Sequence, residues 1–267
     1  MEPVPNHGEC SYQGHARLRD KIALITGGDS GIGRAVAIAF AREGADIALV
    51  YRDESETQDA EDTLRWVTDA GRRGLALRAD VGSDSECQRI VSRVVEQLGR
   101  IDVLVNNAAQ QGKAVERFED IDAERVEETF RTNVIGMFHL VRHALPHMRK
   151  GASVINVASI QAYKPSPSIL DYAATKGAIT TFTKGLSESL LERGIRVNCV
   201  APGPVWTPLV VQSFQSERVR KFGQESPMGR PAQPSELAPA FVFLASDEAS
   251  YVSGEVLGVT GGKPIGS

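Results

Sequence analysis

From residue 21 onward, short apolar runs alternate with longer stretches of helical character. The runs at 22–25, 46–50, 75–77, 101–105, 154–158, 195–200 and 256–259 are brief and nearly continuous, the pattern of strands buried on both faces. Between them, 33–42, 56–70, 85–98 and about 124–149 read as helices, and a further helix starts near Ile169, after Pro165 and Pro167 have blocked helix in the preceding connection. Strands joined by helices imply a parallel sheet covered on both faces, with right-handed crossovers. The expected fold is α/β: one doubly wound, Rossmann-type domain over residues 20–267 with seven parallel strands. There is no internal repeat. Residues 1–19 differ, being polar, carrying Pro3, Pro5, Gly8 and Gly14, and lacking periodicity. That composition predicts a disordered extension, or else an arm laid on a neighbouring subunit with Tyr12 as its anchor.

Composition narrows the function classes. At 267 residues and 42% hydrophobic, the chain can bury a full core. A net charge of −4 gives a nucleic-acid partner no electrostatic support. No apolar run reaches the ~18 residues of a membrane span. The N-terminus lacks a basic region followed by an apolar one, so no secretory signal is read there. Cys10, Cys87 and Cys199 have neither disulfide-framework nor metal-like spacing, which fits a reducing cytoplasm. His7 and His15 have no third ligand nearby, so no metal is expected.

The stretch 159–176 carries the candidate chemistry. A buried run delivers Ser159 at its carboxyl end, and Tyr172 and Lys176 lie four apart on one helix face. A free tyrosine titrates near ~10 and is a poor base at neutral pH; a neighbouring ammonium favours the phenolate. Such a tyrosine can move the proton of an alcohol or carbonyl, and a serine beside it can donate to the same oxygen. A Tyr–Lys pair at this spacing is equally an ordinary solvated helix pair, so its neighbours matter. The first strand-to-helix turn reads Thr-Gly-Gly-Asp-Ser-Gly-Ile-Gly, 26–33, a glycine-rich turn feeding a helix N-terminus, as suits a diphosphate. Ligands bind at strand carboxyl ends in such sheets, which brings in Asp80-Val81 after the third strand and Asn106-Asn107-Ala108-Ala109 after the fourth. Asn107 could instead simply tie loops together.

These motifs, with Asn133 and Pro202-Gly203, resemble in order and spacing the short-chain dehydrogenase/reductase family, over about residues 20–262. The polar extension, Gly-Gly-Asp-Ser-Gly-Ile-Gly-Arg and the segment after Ser159 resemble a bacterial branch related to glucose 1-dehydrogenases and NADP-dependent aldehyde reductases. The resemblance implies Tyr172 as acid/base, Ser159 as donor to the carbonyl oxygen, Lys176 as pKa-lowering cation and ribose ligand, and Asn133 as holder of a water linking Lys176 to solvent. It implies that Thr26, Gly27, Ser30, Gly31, Ile32 and Gly33 cradle the diphosphate, and that Asp80 and Val81 meet adenine. Asn107, with Ala108 and Ala109, would lie on the ribose side. Pro202, Gly203, Val205 and Thr207 would border the nicotinamide. Two departures, Ala109 for a usual glycine and Thr260 for a usual aspartate, do not touch the chemistry. It also implies a homotetramer, paired through helices at 134–149 and 170–192 and through the C-terminal strand.

An NAD-binding relative places an acid at the end of the second strand; here the chain runs Tyr51-Arg52-Asp53-Glu54. Arg52 can offer its guanidinium to a 2′-phosphate, so NADP is the favoured cofactor, with NAD also possible. Asp29 in the glycine turn works against a phosphate. The substrate pocket is expected from Gln110, Gln111, Ile160, Gln161, Ala162 and Trp206, with 208–228 as a lid. Its polar lining suggests a small sugar, polyol or aldehyde. A carrier-linked 3-oxoacyl substrate stays open, because Arg149, Lys150 and Arg193 could form a basic dock, although they also suit helix ends. A non-catalytic dinucleotide-binding regulator is the contrasting class, but it has no need of Ser159, Tyr172 and Lys176 together.

Overall fold

The computed structural model describes residues 1–266. Seven strands, β1 (Ile22–Thr26), β2 (Asp46–Tyr51), β3 (Gly74–Arg78), β4 (Val103–Asn106), β5 (Ser153–Val157), β6 (Arg196–Pro202) and β7 (Val256–Val259), form one sheet. Every pairing is parallel, in the order β3-β2-β1-β4-β5-β6-β7. The order reverses direction between β1 and β4, which opens a crevice at their carboxyl ends.

Strand residues alternate between two cores. Ala23 and Ile25, Ile47 and Leu49, Val103 and Val105 face one; Ile22 and Leu24, Ala48 and Val50, and Leu104 face the other. The first core is capped by α1 (Gly31–Arg42), α2 (Thr57–Asp69) and α9 (Ala238–Ala245), through Phe40, Val67 and Phe241. The second is capped by α3 (Asp84–Leu98), α5 (Gly136–Ala144) and α6 (Leu170–Leu190), through Ile90, Leu140 and Leu190. Phe40 has no exposed surface, so truncation to Ala there costs about 3–5 kcal/mol. The short helices α7 (Pro208–Ser213) and α8 (Ser216–Arg220) lie in the predicted lid.

The segment predicted as one helix over 124–149 is broken. After α4 (Ala123–Phe130), residues Arg131–Ile135 widen into a π-helical turn before α5 begins. The extension also departs from a disordered tail: it folds back on its own domain. Fully buried Glu43, at the end of α1, accepts hydrogen bonds from the Tyr12 hydroxyl (2.6 Å), the backbone N–H of His15 (2.8 Å) and the Arg17 guanidinium (2.6 Å). Arg42 donates to the carbonyls of Gly8, Glu9 and Tyr12. The arm is polar because polar contacts hold it.

Candidate active site

The glycine turn opens α1 in a conformation that leaves its first amides free. Ser30 sits at the N-cap without a side-chain cap, and the first turn holds no acid. Gly31 has φ +51°, a left-handed backbone that favours glycine, and a Cβ on Gly33 would lie 1.8 Å from the Gly27 carbonyl oxygen. Asn107 staples this turn: its amide donates to the carbonyls of Thr26 (2.9 Å) and Gly27 (3.0 Å). The Thr26 hydroxyl accepts from the backbone N–H of Asn107 and of Ala108, both at 2.9 Å. Thr26 and Gly33 therefore act behind the turn rather than on its open side.

The open side is one cleft of about 570 Å³. Gly27, Ser30, Gly31, Ile32, Tyr51, Arg52, Asp80, Val81, Asn107, Ala108 and Ala109 line it from the β1–β3 and β4 ends. Ser159, Tyr172 and Lys176 line it from β5 and α6, and Pro202, Gly203, Val205 and Thr207 from the end of β6. Gln110, Gln111, Ile160 and Gln161 also border it, as do the lid residues Leu209, Val210, Gln212, Phe214 and Phe222. Two of the expected pocket residues do not reach it. Ala162 lies outside the lining, and Trp206 turns its indole away to donate to the Pro3 carbonyl at 2.8 Å. In an extended segment, neighbours point to opposite sides, so Val205 and Thr207 face the cleft and Trp206 faces the arm.

Tyr172, Ser159 and Lys176 are all buried. The Lys176 ammonium donates to the Val157 carbonyl at 2.8 Å and lies 5.2 Å from the Tyr172 ring centre. The expected lowering of the Tyr172 pKa by Lys176 is not what this geometry gives. Burial pushes Tyr172 up to about 12, with the Ser159 hydroxyl pulling the other way. Burial also brings Lys176 down to about 8, with no carboxylate beside it to hold the charge. The buried ammonium spends its hydrogen bond on a strand-end carbonyl and leaves the phenol in its neutral, proton-donating form.

Asn133, in the π-helical turn, has its carboxamide fully engaged. Its oxygen accepts from the Gln110 N–H at 2.7 Å, and its nitrogen donates to the Gln110 carbonyl (2.9 Å) and the Thr175 hydroxyl (3.1 Å). It does not line the cleft, so this geometry makes it a brace between the β4 loop and α6. Gln110 in turn points its side chain to Arg52, whose guanidinium donates to it at 2.8 Å and to Glu128 at 3.2 Å. Gln110 thus serves the Arg52 end of the cleft.

Three residues of the cleft were not singled out from the sequence as ligands. Thr132 lines it with a buried hydroxyl that has no partner among the described residues. It lies in the π turn, which the periodicity hides. Asp29 is buried in the glycine turn, and burial, with the Glu56 charge next, pushes its pKa up to about 6. Glu56 lines the same end, and its carboxylate accepts from the backbone N–H of Arg52 at 2.8 Å. A dinucleotide fits this set on the structure's own terms: a helix N-terminus with free amides, a turn where side chains are excluded, and an orphaned hydroxyl facing a long cleft. Among the described residues no cluster of His, Cys, Asp and Glu could hold a metal, and no helix is long and apolar enough to cross a membrane.

A family model described as enoyl-(acyl carrier protein) reductase matches residues 27–263. The chain belongs to the short-chain dehydrogenase/reductase family. It is 52% identical over 266 residues to a glucose and ribitol dehydrogenase of Daucus carota, covering 98% of this chain and 91% of that one. It is 50% identical over 270 residues to NADPH-dependent aldehyde reductase 1, chloroplastic, of Arabidopsis thaliana, covering 99% and 93%. The crystal structure of L-sorbose reductase from Gluconobacter frateurii, complexed with NADPH and L-sorbose, superposes with a TM-score of 0.83 at 33% identity, covering 91% of this chain and 96% of that one. As a short-chain dehydrogenase/reductase, the protein is an NAD(P)-dependent oxidoreductase.

Proposed function

We propose that this enzyme moves a hydride between NADP(H) and a small hydroxylated alcohol/carbonyl pair, a sugar, polyol or aldehyde, with NAD(H) as the lesser partner. The observation that carries this is the convergence of Ser159, Tyr172 and Lys176 on the cleft that also holds the glycine turn. The nicotinamide, when bound, supplies or accepts the hydride. The chain's own residues hold the substrate oxygen and move its proton. The neutral Tyr172 phenol donates that proton to a carbonyl oxygen during reduction, and the Ser159 hydroxyl donates a second hydrogen bond to the same oxygen. Lys176, charged below about 8, offsets the phenolate that Tyr172 becomes. Phe214 and Phe222 of the lid exclude water while Gln111, Gln161 and Gln212 offer amides to hydroxyl groups.

The names of the relatives agree with such a substrate, and NADPH appears with two of them. A carrier dock has less support, since Arg193 donates to the Leu145 carbonyl at 2.7 Å and so closes a helix end. The free cysteines fit a cytoplasmic enzyme. A homotetramer is part of the proposal: Ile135, Phe138, Leu170 and Leu191 are exposed on or beside the helices expected to pair, and β7 is an edge strand.

The decisive experiment pairs a screen with one variant. Sugars, polyols, small aldehydes and ketoesters are offered with NADPH and NADP, reading absorbance. Tyr172→Phe should lower kcat on the best substrate by at least ~10²-fold while cofactor affinity stays within a few-fold. Near-normal turnover in Tyr172→Phe overturns the catalytic assignment, and turnover confined to carrier-linked acyl substrates overturns the substrate class.

A further inference from the structure

The Arg52 guanidinium has more than one suitor. It leaves the end of β2, donates to Gln110 at 2.8 Å and ends on the Glu128 carboxylate of α4 at 3.2 Å. Because β1 lies between β2 and β4 in the sheet, this bridge passes over the end of β1, where the glycine turn begins. Arg52 and Gln110 line the cleft at this point, close to the orphaned Thr132 hydroxyl one turn after Glu128. Both partners of the ion pair are partly exposed, at 42% and 35%, so the pair is weak and exchangeable.

We propose that Glu128 is a specificity-determining residue that sets the balance between NADPH and NADH by competing with the 2′-phosphate for Arg52. The proposal rests on the NADP reading given above. A 2′-phosphate must take the guanidinium from Glu128, and it also meets the carboxylate's negative charge across a short gap. A 2′-hydroxyl meets neither obstacle, because it needs no cation and carries no charge. Glu128 therefore taxes NADPH selectively and keeps NADH usable, a repulsive element set beside an attractive one. Gln110 keeps the guanidinium in place whichever acceptor it has.

The test titrates NADPH and NADH by fluorescence into the full-length wild type, Glu128→Gln, Arg52→Ala and the double variant. Gln keeps the shape at 128 and removes only the charge. Glu128→Gln should tighten NADPH roughly two- to fivefold, the scale of a half-exposed ion pair, and leave NADH within error. Arg52→Ala should weaken NADPH about 10- to 100-fold with little change for NADH, and the gain from Glu128→Gln should shrink in that background. If Arg52→Ala weakens NADPH selectively but Glu128→Gln changes nothing, or helps both cofactors equally, the Glu128 proposal fails and the NADP reading stands. A gain as large without Arg52 as with it also overturns the competition. If Arg52→Ala moves both cofactors alike, the NADP reading itself fails and the proposal falls with it.

Discussion

Replacing Glu43 by alanine should detach the N-terminal arm. Glu43 has no exposed surface and takes five hydrogen bonds from the arm: the Tyr12 hydroxyl, the backbone N–H of His15 and of Arg17, and two from the Arg17 guanidinium. Breaking a buried ion pair by removing one partner costs ~3–5 kcal/mol. Each further buried donor left without an acceptor adds ~1–3 kcal/mol. The cost has a ceiling, however, because the arm can peel away and let water solvate Arg17 and Tyr12. Arg17 is already 27% exposed, so rehydration is easy and the low end applies, about 3 kcal/mol. For a domain of this size that corresponds to a fall in Tm of roughly 6–12 °C. Glu43→Gln keeps one oxygen acceptor and should lose about half as much. Thermal unfolding followed by fluorescence gives the first number, and trypsin cleavage after Arg17 and Arg19 reports whether the arm has left. An alanine variant within 2 °C of wild type whose arm still resists trypsin would refute the reasoning. The pH dependence has a defined sign. Burial alone would raise the Glu43 pKa, but the Arg17 and Tyr12 hydrogen bonds outweigh it and hold it down at about 2. The contact's stabilisation is therefore complete above the ordinary 4.5 and is lost as pH falls through about 2, so the arm should remain docked at pH 4.

Two other outcomes follow from the charges and faces described. Asp29, raised from 3.8 to about 6, is neutral below that value; its contribution to stability is complete below 3.8 and is lost as pH rises through about 6. Its ionisation beside the glycine turn proposed to hold the diphosphate should weaken NAD binding roughly fivefold between pH 5 and 7, about 1 kcal/mol for one charge at intermediate dielectric. Asp29→Asn should flatten that slope in calorimetric titrations, and an unchanged slope would place the titrating group elsewhere. For assembly, light scattering at micromolar concentration should give four times 28.8 kDa, and an active monomer of 28.8 kDa would refute the tetramer.

The strands were legible because most are short, nearly continuous apolar runs feeding both cores, and the glycine turn because its neighbours exclude side chains at Gly33. What escaped has physical reasons. The π turn at Arg131–Ile135 adds residues without changing hydrophobic character, so the pattern over 124–149 reads as one helix. The arm has no apolar period because the buried Glu43 carboxylate and the Arg42 guanidinium hold it, and polarity of that kind looks like disorder in a sequence. Trp206 was placed in the pocket by its sequence neighbours, whereas extended backbone sends alternate side chains to opposite sides. The Tyr–Lys spacing placed both side chains on one face but could not say that Lys176 would end on the Val157 carbonyl.

The π turn ties the two halves of the cleft together. In an unbroken helix, Asn133 and Thr132 would project about 100° apart at ordinary pitch, and the widened turn alters that angle. Here Thr132 lines the cleft while Asn133 accepts from the Gln110 N–H and donates to the Gln110 carbonyl and the Thr175 hydroxyl. Thr175 precedes Lys176 and returns its own proton to the Tyr172 carbonyl at 2.7 Å. Gln110 continues the path in the other direction, to Arg52. A single run of hydrogen bonds thus joins the helix bearing Tyr172 and Lys176 to the guanidinium proposed to read the 2′-phosphate. The links at Asn133 and Thr175 are buried or half-buried while the Arg52 end is exposed and shared with Glu128, so a shift at Arg52 is taken up at that end before it reaches the phenol. That ordering explains why a charge change at Glu128 should register in cofactor preference first, with the proton-transfer groups left where α6 holds them.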